Sequence, residues 1–138
     1  MMSEFNFKSQ TCTSRVQSER LISLGLKNET ADCYWFYCDI AKEWKCTILS
    51  STQVFKDYPT TVIPAWSLDS LREMLNKSWV TISFIERDTS IFVERYGVFQ
   101  NVFEIWDNVY DNICDCIEWL IKEGYFPKEY LENGTTEN

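Results

Sequence analysis

The stretch VYDNICDCIEWLIKEG, residues 109–124, constrains the fold more than any other. At about 100° per residue, Trp106, Val109, Tyr110, Ile113, Ile117, Leu120 and Ile121 fall on one broad apolar stripe of a helix. Asp107, Asp111, Asp115, Glu118 and Lys122 fall on the opposite flank. A helix of this kind is stable in water only when its stripe is buried, so the chain must supply a second layer. The preceding residues predict one. WVTISFIE, 79–86, places Val80, Ile82 and Phe84 on one face of a strand. Arg87-Asp88-Thr89 turns the chain into SIFVERYG, which Gly97 ends, and VFEIW, 102–106, reads as a third strand. Three successive strands followed by a helix read as an antiparallel sheet covered on one face.

The rest of the chain adds smaller pieces. SRVQSERLISL, 14–24, reads as a short helix stopped by Gly25, and 26–32 as a loop. EWKCTIL predicts a strand over 44–49. CYWFYCD, 33–39, fits a strand or an aromatic loop, and SSTQVFKDYPT reads as a connector. Ser67 is a good N-cap for a helix from Leu68 to Asn76, where Leu71, Met74 and Leu75 recur at helical spacing. No repeat or linker divides the 138 residues. The expectation is a single α+β domain over 1–138: a small antiparallel sheet of three to five strands packed against two or three helices, with 1–13 and 133–138 mobile.

Few residues point to chemistry. Cys114 and Cys116 lie two apart at the two borders of the apolar stripe, where they cannot share one metal, and read as small half-buried apolar residues. Cys12, Cys33, Cys38 and Cys46 lack the paired spacing of a zinc site, and the chain has no histidine. Phosphate-cradling glycine motifs are absent. The expectation is therefore no catalytic residue, no cofactor and no metal site. A loop thiolate drawn from Cys33, Cys38 and Cys46, or a carboxylate pair on the Asp107, Asp111, Asp115 face, stays open as the route to a small enzyme.

The charge is uneven. Residues 104–138 hold nine acidic side chains against Lys122 and Lys128, a net −7 of the total −8. Without a basic cluster, nucleic acid is not an expected partner, whereas a basic protein is. No apolar run is long enough for a membrane span, and MMSEFNFKSQTCTS lacks the features of a signal peptide. That predicts a cytoplasmic protein with reduced cysteines. Trp119 falls off the stripe, beside Asn108 and Asn112. It needs a cover, either the segment Tyr125 to Leu131 folding back or a partner. The candidate partner surface is therefore Trp119 with Asp107, Asp111, Asp115 and Glu118.

ERLISLGLKNETADCYW at 19–35, IPAWSLDSLREML at 63–75 and NICDCIEWLIKEGYFPKEYL at 112–131 together resemble a family of small uncharacterised proteins from gut Bacteroidales genomes and their prophages and mobile elements. The resemblance implies a cytoplasmic bacterial or phage protein, with no known activity and no catalytic residues to carry over. Function is expected to be that of a non-catalytic protein-interaction module, accessory or regulatory, with the small enzyme as the alternative.

Overall fold

The computed structural model describes residues 10–85 and 89–132. Ser14 caps α1 (Arg15–Ser23) through a reciprocal box: its hydroxyl accepts from Gln17 N, and the Gln17 side chain accepts from Ser14 N. β1 (Cys33–Cys38) and β2 (Glu43–Ile48) then form an antiparallel hairpin, and β3 (Val62–Ala65) pairs antiparallel with the free side of β1. The order β2-β1-β3 makes the aromatic stretch at 33–38 the central strand of a sheet. Because β2 and β3 both run antiparallel to β1, they are parallel to each other. The chain between them must cross over β1. That crossing is the connector at 49–61, and it carries a short helix, α2 (Gln53–Asp57).

α3 (Leu68–Asn76) begins at the Ser67 cap. Asp32 holds that cap, accepting from Ser67 N at 2.8 Å and Ser70 Oγ at 3.1 Å. A second antiparallel sheet follows, with order β4-β5-β6: β4 (Thr81–Phe84), β5 (Ile91–Arg95) and β6 (Val98–Phe103). The fold is α+β, with its strands in two three-stranded sheets rather than in one. β6 starts four residues before the expected VFEIW strand. Tyr96 (φ 54°) and Gly97 (φ 78°) make a two-residue turn of the kind that matches strand twist, so pairing resumes at once and Glu104 to Trp106 lie beyond the strand. The expected turn at Arg87-Asp88 falls outside the described residues, as do 1–9 and 133–138. Cys12 and Thr13, within the stretch expected to be mobile, are buried.

α4 (Val109–Glu123) is capped by Asn108, whose Oδ1 accepts from Tyr110 N and Asp111 N, and is closed by Gly124 in the left-handed region (φ 79°). Ile113, Ile117 and Leu120 are fully buried with Ile91 and Val93 of β5, Leu71 and Leu75 of α3, and Leu21 of α1. α4 thus forms the centre of one core. Trp66 is the largest fully buried side chain. Its indole Nε1 donates to Thr30 Oγ1 at 2.9 Å, and its backbone exchanges bonds with Thr13. The chain end is tied back as well: Leu131 bridges Leu26, Lys27 N donates to Tyr130 O, and Glu132 N donates to Gly25 O. Among the described residues no helix is long and apolar enough to cross a membrane.

The cysteines depart from expectation in two ways. Cys114 and Cys116 are fully buried rather than half-buried, and burial pushes both thiols up to about 12. Cys12 and Cys46 are joined as a disulfide. Trp35 Nε1 donates to Thr13 O at 2.8 Å, which lays residue 12 on the Trp35 and Cys46 face of the hairpin. Cys33, Cys38, Cys114 and Cys116 are free. Burial, then Asp32, pushes Cys33 up to about 11, so three of these four thiols are protonated and enclosed at neutral pH. A thiol-reactive disulfide reagent at pH 8 is expected to label Cys38 in the folded protein and the other three only on unfolding. Rapid native labelling of Cys114 or Cys116 would show that α4 does not sit against the core in this way.

Candidate protein-docking surface

β6 has a partner on one side only, since it is the last strand of its sheet. Its other edge presents backbone donors and acceptors to whatever lies beside it. The strand and its two ends also carry exposed apolar groups. Val98 and Phe99 of β6 are exposed, as are Tyr96 (88%) in the turn before it and Ile105 (81%) and Trp106 in the loop after it, all within eleven residues. Natural edge strands are commonly blunted by lysine or proline. The run VFQNVFEIW, 98–106, contains neither.

The loop after β6 is held by a residue that sequence reasoning misplaced. Asn112 falls beside Trp119 on the helix back by spacing, yet it is fully buried. Its Nδ2 donates to Thr89 O (2.8 Å) and Trp106 O (3.0 Å), and its Oδ1 accepts from Trp106 N (3.1 Å). The carboxamide therefore pins residue 106 to α4 and, through Thr89, to the chain entering β5. Trp106 itself precedes the helix and is half exposed, not part of the buried stripe. Its indole Nε1 donates to Asp115 Oδ2 at 3.0 Å.

The acidic flank of α4 is partly occupied by α1. Asp111 accepts from Gln17 Nε2 at 2.7 Å. Arg20 bridges Asp115 at 2.8 Å and Glu118 at 2.6 Å, and Lys122 also reaches Glu118 at 3.6 Å. Burial works against the charge on Arg20, but the hydrogen bonds it donates to Glu118 and Asp115 and the Asp115 charge more than offset it, raising its pKa. The hydrogen bond from Arg20 lowers the pKa of Glu118. Asp107 is exposed at the mouth of the helix, next to Trp106. The five residues expected to form one patch are therefore divided. Asp107 stands beside Trp106 at the end of the β6 edge, whereas Asp111, Asp115 and Glu118 are engaged by α1, Asp115 also accepting from the Trp106 indole.

Trp119 is half-buried between two rings, Phe103 of β6 at 5.9 Å and Tyr125 at 5.8 Å between centroids. Tyr125 belongs to the segment expected to act as lid, and Arg95 lies over its ring at 5.2 Å. Tyr130 and Leu131, the other expected parts of the lid, go elsewhere: Tyr130 packs on Phe126, and Leu131 reaches Leu26. Spacing alone could not find Phe103, which meets Trp119 only because β6 lies beside α4.

Cys33, Cys38 and Cys46 do not form a common thiolate site. Cys46 is bonded to Cys12, and Cys33 and Cys38 occupy opposite ends of β1, roughly 16 Å apart at strand rise. Among the described residues no group of cysteines and carboxylates could hold a metal ion. In comparisons with known proteins, no family model matches the chain, and no curated protein or solved structure matches it significantly.

Proposed function

We propose that the protein is a non-catalytic interaction module that accepts an extended, basic segment of a partner protein along β6. The observation that carries this reading is the edge strand without a second neighbour among the described residues, whose exposed side chains are apolar and which ends at the exposed carboxylates of Glu104 and Asp107. Strand addition would supply main-chain hydrogen bonds, and the exposed Val98, Phe99 and Ile105 would favour alternate apolar residues on the incoming strand. The acidic end selects lysine or arginine beyond them, and steers such a partner in. An accessory or regulatory role in a bacterium or its phage is part of the same proposal. So is a cytoplasmic setting, against which the Cys12–Cys46 bond is the contrary observation.

A photo-crosslinking residue in place of Phe99 tests the reading in the native cell, with the same residue at exposed Ile48 on the other sheet as control. A stoichiometric adduct is expected from position 99 and not from 48. Val98→Lys should reduce that adduct about tenfold by placing a like charge against a basic strand, while leaving stability within about 0.5 kcal/mol. Equal adducts from both positions, or a partner retained with no adduct at 99, would remove β6 as the docking edge.

A further inference from the structure

The crossover that carries α2 over the first sheet leaves a cleft of about 440 Å³ between helix and strands. Tyr34 and Phe36 project from one face of β1, their ring centroids 5.9 Å apart, with Val62 of β3 beside them. Val54 and Tyr58 form the α2 wall, and Tyr58 is 56% exposed. The one charged lining group is Asp39, held at the rim by the β1–β2 turn in which Lys42 takes a positive φ of 58°. Among the described residues its carboxylate has no hydrogen bond or ion pair. Neither lysine nor arginine lines the cleft.

We propose that this cleft binds a small organic ammonium ion, fully alkylated at nitrogen. Aromatic faces attract a cation, and the attraction is largest for one that sheds water easily, which an alkylated ammonium does. An unpaired carboxylate at the rim adds the opposite charge. An anion is repelled by that same carboxylate, and a neutral apolar ligand would gain nothing from it. A hard metal ion would find a single carboxylate where it needs several oxygen ligands. The volume is in the range of small-molecule sites. The site lies on the other sheet from β6, so it stands or falls independently of the docking proposal.

The test is a methyl NMR titration of the full chain, reading Val54 and Val62, with choline as probe and its neutral isostere 3,3-dimethylbutan-1-ol as control. Choline is expected to shift both valines saturably, and the neutral isostere to bind at least ~5-fold more weakly, as loss of the cation–π and carboxylate terms requires. Asp39→Asn and Tyr58→Leu should each weaken choline ~3-fold or more, with unchanged thermal melts, because both side chains are exposed. Equal binding of the isostere would reduce the cleft to an apolar surface and overturn the proposal. Indifference to both substitutions, or shifts confined to residues outside the cleft, would overturn it too. A trimethyllysine peptide binding ~10-fold tighter than choline would overturn the small-ion assignment in favour of a polypeptide-borne cation.

Discussion

Replacing Trp66 by alanine is expected to cost about 3–5 kcal/mol, the range for truncating a fully buried aromatic. That is a large part of the stability of an ordinary domain, about 5–15 kcal/mol in all. The site cannot collapse cheaply, because Trp66 ends β3, precedes the Ser67 cap and holds Thr13 through backbone and hydroxyl bonds. Trp66→Phe should cost less, about 1–3 kcal/mol, since it keeps a ring in place but leaves Thr30 without the indole donor. Urea melts followed by circular dichroism measure both. An alanine variant within about 1 kcal/mol of the parent would mean that the first sheet and α3 are not joined through this residue.

The second large effect is at Ile117, where alanine should cost about 2–5 kcal/mol. Ile117 is fully buried at the middle of α4, with Ile113 and Leu120 alongside it in the same core. Asp111→Asn on the opposite flank should stay below about 1 kcal/mol, because the amide oxygen can still accept from Gln17. The same melts rank the two. If Asp111 proves the more costly position, α4 is rotated relative to the core described above.

These positions differ in how far they could be read from sequence. The α4 stripe and the Leu68–Asn76 helix were legible because their signals are local: apolar spacing, the Ser67 cap and the Gly124 stop all lie within the element. The β6 boundary was not. Its start depends on Tyr96 adopting a positive φ, which a tyrosine rarely announces. Residues 33–38 stayed ambiguous because strand character there comes from two distant partners, 43–48 and 62–65. The crossing made by the connector followed from that same sheet order, and no pattern in QVFKD announced its short helix.

The candidate site was legible only in part, for the same physical reason. A helical wheel separates the apolar stripe from the acidic flank. It cannot show that Gln17 and Arg20, more than ninety residues earlier, lie on that flank and occupy Asp111, Asp115 and Glu118. Nor can it distinguish a solvated asparagine from Asn112, which closes the loop carrying Trp106. The Trp119 cover was half legible: Tyr125 is adjacent in sequence, whereas Phe103 comes from another element.

The long reach between α1 and α4 has a consequence for how the protein is made. Arg20 finds Glu118 across 98 residues of chain, and Leu26 finds Leu131 across a still longer span. At about 5–20 residues per second, a ribosome needs roughly 5–20 s to synthesise the partner of α1 after α1 itself. During that interval the hairpin of β1 and β2 and its β3 partner, all complete by residue 65, can assemble from nearer contacts. α1 can join them early on one side, because it packs on β3 and Arg15 lies over the Trp44 ring of β2, but Gln17 and Arg20 have no partners until α4 emerges. The first helix to be translated is thus secured in two stages, and a chain arrested before residue 109 would leave the side of α1 that meets α4 open to the chaperones that meet nascent proteins.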